Sequence, residues 1–175
     1  MGSPHGRRGR GIVAALALTI TLGAAAVAAD AAESDPLPVP PGGAARRAVV
    51  AYNDGVRLMV EKRYAAAQRK FEEALAANDR LAEAHNNLAF SLRMQGPANR
   101  ERALRHYDRA IALNPRLARA YMYRGVLFAQ MGDLTRARAD HARLSALDPE
   151  LAARLERVIT GAGEDVSDGL APQYE

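Results

Sequence analysis

Hydrophobic and small residues recur along the chain with the period of amphipathic helices, and the same arrangement occurs three times. Each copy has a small residue, an alanine, a ring-bearing residue, a small or aliphatic residue and a turn residue. The last four positions keep spacings of 4, 3 and 5 in every copy. The sets are Gly55, Ala67, Phe71, Ala74 and Asp79; Ala89, Ala103, Tyr107, Ala110 and Pro115; and Gly125, Ala137, His141, Leu144 and Pro149. Self-similarity at about 34 residues is typical of an array of helical hairpins.

The first spacing of the pattern is 12, 14 and 12 residues, so the second copy carries a two-residue insertion. The insertion falls at 96–99, where turn-forming glycine, proline and asparagine cluster. After the third copy, Leu151, Leu155 and Val158 share one face of a further amphipathic segment that can cap the array. The pattern therefore predicts three helical units and a cap helix, with the bounds 48–81, 82–117, 118–151 and 149–160.

The flanks of the repeats differ from them in composition. Residues 1–29 join an arginine-containing start to an uncharged stretch, 11–29, with small residues at A-x-A spacing, which predicts a secretory signal peptide. The alternative is an uncleaved inner-membrane anchor formed by 11–29. Residues 30–47 are rich in Pro, Gly and Ala and predict an extended linker. Residues 161–175 carry four acids and no base and predict a disordered acidic tail.

Charge and composition exclude several classes of protein. The chain of 175 residues has a net charge of +4, but removal of Arg7, Arg8 and Arg10 leaves 21 basic against 20 acidic residues. A net charge of +1 gives no dense basic face for nucleic acid. The absence of cysteine excludes a disulfide scaffold and a cysteine nucleophile. The scarcity of aromatic residues disfavours a β-sandwich.

The joint register of the three copies resembles the tetratricopeptide repeat (TPR) family over roughly residues 48–151. The third copy carries the most family marks: Tyr121, Gly125, Phe128, Ala137 and Pro149. It departs from the family pattern with Arg124 in place of Leu and His141 in place of Phe. The resemblance implies an all-α fold, a right-handed α-solenoid of three hairpins with a C-terminal cap. We expect small residues to bring paired helices close, with Gly55, Ala89 and Gly125 against Ala67, Ala103 and Ala137.

The resemblance also implies a concave groove, formed by the first helices of the units, that binds a peptide or a partner helix. We predict groove residues on one stripe of each first helix and beside it. An exposed, mostly apolar stripe with flexible methionine suits an interaction site. The alternative is that neighbouring units bury the stripe. The candidates are Tyr52, Val56, Met59, Asn86, Asn87, Phe90, Arg93, Met94, Arg119, Met122 and Val126.

Some TPR domains grip a C-terminal carboxylate with five polar residues, and this clamp is not expected here. Asn87 matches the clamp by identity and Arg119 by charge. Tyr52, Val56 and Tyr123 replace the other three positions. Tyr52 and Val56 cannot supply a cation to a carboxylate.

Catalysis, a cofactor and a metal site are not expected. His85, His106 and His141 have no helical ligand spacing, and no nucleotide-binding or nucleophile motif occurs. We therefore predict an exported bacterial scaffold, periplasmic or secreted, that binds a protein or peptide partner and no nucleic acid. Membrane contact is expected only if the N-terminal segment stays uncleaved. The alternative is a structural or weakly self-associating module without a peptide ligand.

Overall fold

The computed structural model describes residues 35–161, which form seven α-helices, one 3₁₀ turn and no strand. The all-α prediction is thereby confirmed for this part of the chain. Short loops join the helices and reverse the chain direction. The helices are α1 (Gly43–Val60), α2 (Tyr64–Ala77), α3 (Ala82–Arg93), α4 (Arg100–Leu113), α5 (Ala118–Gln130), α6 (Leu134–Ser145) and α7 (Pro149–Thr160), and the 3₁₀ turn is Pro97–Asn99.

The helices stack as three hairpins, α1 with α2, α3 with α4, and α5 with α6. The first helices α1, α3 and α5 contact one another in succession and form what we call the inner layer. Helix α3 lies in the middle of the stack, and all but one of its twelve residues are buried. Because each hairpin leaves one apolar side uncovered, stacking of the units makes the core continuous.

Two aspartates cap the N-termini of the last two helices. The carboxylate of Asp133 accepts a hydrogen bond from the backbone N–H of Arg136 at 2.9 Å and so caps the N-terminus of α6. Asp148 accepts from the backbone N–H groups of Glu150 and Leu151 at 3.1 and 3.0 Å. Pro149 then occupies the first turn of α7, where its missing N–H costs nothing.

The glycines of the repeats do bring helices close, and the nearest side-chain atoms belong to residues larger than alanine. A Cβ on Gly55 would lie 2.6 Å from the ring of Phe71. A Cβ on Gly125 would lie 2.5 Å from the side chain of Leu155 on α7 and 3.3 Å from Cβ of Asp140. Large side chains therefore occupy the space next to each glycine, because an aromatic or branched side chain fills it more completely than a methyl group.

The structure corrects the predicted end of the linker. Helix α1 begins at Gly43, whereas the composition predicted extended chain as far as residue 47. The last proline is Pro41, and the following Ala44–Arg47 segment consists of good helix formers. Helix formation therefore starts as soon as the prolines end.

The buried face of α7 is wider than predicted. Leu151, Leu155 and Ile159 are buried, whereas Val158 is half-buried at the edge of the core. Helix α7 packs against both α5 and α6, so its covered stripe extends to Ile159. The predicted signal segment 1–29 and most of the tail lie outside the described residues. Within residues 35–161, no helix is long and apolar enough to cross a membrane.

Candidate functional site

Most of the predicted groove residues are buried. Of the eleven, only Met94 and Arg119 are half-buried, and none is fully exposed. The expectation of an exposed stripe is therefore wrong for the others, and the alternative of burial by neighbouring units holds. Helices α3 and α5 also contact the second helix of the preceding unit, so little of their stripes faces solvent. The buried candidates are Tyr52, Val56, Met59, Asn86, Asn87, Phe90, Arg93, Met122 and Val126.

A polar cluster crosses the inner layer from α1 to α3. The side-chain amide of Asn87 donates to the hydroxyl oxygen of Tyr52 at 3.2 Å, and that of Asn86 donates to Asn87 Oδ1 at 3.0 Å. Burial raises the pKa of Tyr52 to about 12, and the Glu83 carboxylate adds to the shift. The Asn87 hydrogen bond and the positive charge of Arg119 oppose it. Tyr52 thus remains a neutral hydroxyl that links the first two units.

An aromatic cluster with one arginine joins all three units. The Phe90 ring meets Tyr123 edge-on with centroids 5.1 Å apart, and Tyr64 approaches the same ring at 6.1 Å. The Arg93 guanidinium lies 5.1 Å from the centroid of Phe90 and 6.0 Å from that of Tyr123. Cation–π contact accommodates this charge where little water reaches it. Arg93 therefore serves packing in the inner layer.

Arg124, which departs from the family pattern, forms a second charged contact. Its guanidinium donates to both carboxylate oxygens of Asp140 at 3.0 and 2.6 Å and to Asp108 at 2.7 Å. Burial raises the pKa of Asp140, and the Arg124 guanidinium opposes the shift. The bidentate contact stabilises the ionised carboxylate between α5 and α6. Arg124 and Asp140 thus form a structural ion pair that replaces an apolar contact.

His85 and His106 form a pair that spacing alone did not reveal. They lie on the facing helices α3 and α4, with their Nδ1 atoms 3.0 Å apart and their rings stacked. His85 Nε2 lies 3.0 Å from the carbonyl oxygen of Asp79, which can only accept. Neutral His85 therefore donates through Nε2 and accepts at Nδ1 from His106. Burial lowers the pKa of both residues, that of His106 to about 4.

Sequence reasoning also missed Asn53, which follows Tyr52 on α1. Its side-chain amide makes two hydrogen bonds to the main chain of Leu37, in the linker. In the sequence, Asn53 stands out only as an uncharged polar residue between the stripe positions Tyr52 and Val56. This contact holds the extended linker segment against an inner-layer helix.

The described residues contain no cluster of three or more histidine and acidic side chains that could hold a metal ion. The paired histidines lie beside Arg102, Arg105 and Arg109, whose charges disfavour a cation there. The side-chain contacts of the inner layer and of the histidine pair are hydrogen bonds, ring contacts and charge interactions.

No protein-family model matches the chain, and no curated protein matches it. Solved structures do match. The first TPR domain of Spaghetti (RPAP3), solved with an HSP90 peptide bound, is 23% identical, with a TM-score of 0.61 over 67% of this chain and 93% of that one. The TPR domain of Arabidopsis OM64 is 20% identical, with a TM-score of 0.63 over 69% and 99%. The fold of this chain is therefore that of TPR domains.

Proposed function

We propose that this protein is a non-catalytic interaction scaffold that binds a peptide or helix of a partner protein across its inner layer. The observation that carries the proposal is the fold, a short stack of TPR-like hairpins with an inner layer of first helices. A domain of the same fold is solved with a peptide bound, which is consistent with this use.

The burial of the stripe changes which residues we propose for contact with the partner. Side chains such as Phe90 and Arg93 support the inner layer from within, so their replacement by glutamate would unfold the domain as well as disturb a partner. Arg119 and Met94 remain partly accessible. We therefore place the contact with the partner at these two residues and at Asn53, another half-buried residue of the inner layer.

The test is affinity capture of partners from an extract of the source cells, with the bound polypeptides identified by mass spectrometry. Arg119→Glu reverses a charge on α5, and Arg116→Glu makes the same change in the exposed loop before it. We expect Arg119→Glu to lose the captured partner and Arg116→Glu to retain it, with equal melting temperatures. Equal capture by the two variants would place the binding surface elsewhere.

We further propose that the protein is exported, because residues 1–29 have the composition of a signal peptide. Sequencing of the mature N-terminus tests this proposal. A first residue between 29 and 32 indicates cleavage at one of the small-residue sites. Retention of Met1 or Gly2 in a membrane fraction supports the anchor instead.

A further inference from the structure

The linker is attached to α1 by a contact between one side chain and one main-chain unit. Leu37 N–H donates to Asn53 Oδ1 at 2.8 Å, and Asn53 Nδ2 donates to the Leu37 carbonyl oxygen at 2.9 Å. A side-chain amide satisfies both polar groups of one residue in this way only when the bound backbone is extended. Asn53 therefore binds the main chain of the segment, while the Leu37 side chain packs against the core.

The prolines of the segment make this contact selective. Pro36, Pro38, Pro40 and Pro41 lack a backbone N–H, so only Leu37 and Val39 can donate between 36 and 41. Proline also holds the segment extended before it docks, which reduces the entropy lost on ordering. Leu37 turns towards the domain, whereas the Val39 side chain is 44% exposed. The Leu37 N–H is thus bound by Asn53, whereas the Val39 N–H has no hydrogen-bond partner among the described residues.

The N-terminal end of this segment lies near Tyr52 on α1. Tyr52 directly precedes Asn53, and the charges of Asp35 from the linker, Glu83 from α3 and Arg119 from α5 all act on its hydroxyl. The other end of the segment contacts α1 where Arg46 Nη1 donates to the Pro40 carbonyl oxygen at 3.4 Å. The linker therefore lies along α1, with its acidic residue Asp35 on the side of Tyr52.

We propose that Asn53 is a main-chain binding site for extended segments with an aliphatic residue between two prolines, and that Leu37 of the linker occupies it in cis. This inference rests on the proposed function and names the class of segment that the inner layer binds. A partner segment of the same chemistry takes the site when the linker leaves. A tethered segment has an effective concentration on the order of millimolar. A partner segment must therefore bind tightly enough to compete with the linker for Asn53.

Amide hydrogen exchange of the full chain, followed by NMR, tests the occupancy in cis. Residues 36–41 contain two exchangeable backbone amides, and Val39 is the internal control for Leu37. We expect Leu37 to exchange at least about tenfold more slowly than Val39, relative to their intrinsic rates. Asn53→Ala removes this difference. Equal exchange of Leu37 and Val39 in the unmodified chain overturns the proposal.

Peptide binding in trans tests the site itself, with a labelled peptide of sequence SDPLPVPPG that copies residues 34–42. Leu37→Pro removes the N–H and the side chain that dock, and Val39→Pro is the matched control that removes an N–H to which Asn53 makes no hydrogen bond. We expect the peptide to bind the Leu37→Pro chain at least about tenfold more tightly than the control, because the site is vacated. Adding Asn53→Ala to Leu37→Pro abolishes this binding.

Equal binding of the peptide to the Leu37→Pro and Val39→Pro chains overturns the proposal. The exchange experiment needs no partner, so its result is separate from that of the capture experiment. Slow exchange at Leu37 with no captured protein retains the Asn53 site and rejects the scaffold function. Fast exchange at Leu37 with a partner lost on Arg119→Glu retains the scaffold and rejects the Asn53 site.

Discussion

At the level of single residues, Gly55 and Gly125 each leave space that a side chain of a neighbouring helix fills. The space above each glycine is filled by a side chain, Phe71 in the first unit and Leu155 on the cap helix. The two fillers differ in stiffness, because a phenyl ring in a packed core has fewer ways to move than the end of a leucine. The two sites should therefore respond differently to an added methyl group.

We predict that Gly55→Ala destabilises the fold. Alanine favours a helix by up to about 1 kcal/mol over glycine, but overpacking against the Phe71 ring costs about 1–3 kcal/mol. Urea denaturation should show a net loss, and Phe71→Leu in the same chain should recover part of it. Gly42→Ala is the control, since a Cβ there would meet nothing within 4 Å. An unchanged or raised midpoint for Gly55→Ala would contradict the packing.

Arg124 and Asp140 form an interaction whose two halves depend on each other. Asp140 is 4% exposed, so removal of the arginine leaves a buried carboxylate without its partner. We predict that Arg124→Met costs about 3 kcal/mol of unfolding free energy. Adding Asp140→Asn to Arg124→Met should recover a large part of the lost unfolding free energy, because the buried group is then neutral.

The control for this pair is Arg102→Met, which removes an ion pair to Glu72 that is open to solvent on both sides. It should change the free energy of unfolding by less than about 1 kcal/mol. A similar loss for the two arginine variants, measured by urea denaturation, would show that the burial of Asp140 does not matter.

At the scale of helices, α7 depends on its first turn as well as on its apolar face. We predict that Asp148→Ala costs about 1 kcal/mol, because two backbone N–H groups lose their acceptor. Thermal denaturation followed by circular dichroism measures the loss. Asp148→Ser keeps a side-chain acceptor and should retain most of the stability. Equal losses for the two variants would argue against a capping role.

The contact between α3 and α4 should make stability depend on pH. The folded state lowers the pKa of His85 and His106, so the unfolded chain binds protons more readily below its pKa of about 6.5. Protonated His85 would also lose its acceptor for His106. We predict that the free energy of unfolding falls by about 1–2 kcal/mol between pH 6.5 and about pH 5.

His106→Gln should reduce this pH dependence, because it removes the group whose pKa is lowered most strongly. His141→Gln removes a histidine from α6 outside the pair and should keep the fall in stability. The measurement is the urea midpoint at several pH values. A His106→Gln chain with an unchanged dependence on pH would show that the pair is not its source.

At the scale of the whole molecule, the end of the stack is closed by α7. Its inner side covers Gly125, and its outer side exposes Ala153, Glu156 and Arg157. Charged residues on the last helix discourage addition of a further unit, as on the terminal helix of a repeat protein. We therefore expect the purified protein to be monomeric.

Replacement of Glu156 and Arg157 by leucine should change this behaviour. The double variant gains an apolar end surface, so its mass by light scattering should rise with concentration. A Glu156→Gln, Arg157→Gln chain removes the charges without adding apolar surface and should remain monomeric. Concentration-dependent association of the unmodified protein would instead support the self-associating module.

The sequence was sufficient to predict the repeat, because helical period, small residues and turn residues are local properties. It also identified Arg124 as a departure from the TPR pattern, but not the buried Asp140 opposite it. Which side chains are covered could be seen only from the packing of the helices. Burial depends on how closely neighbouring hairpins stack, and this turned Phe90 and Arg93 from groove candidates into core residues. The contacts of His85 with His106 and of Leu37 with Asn53 likewise join positions 21 and 16 residues apart, which no local pattern relates.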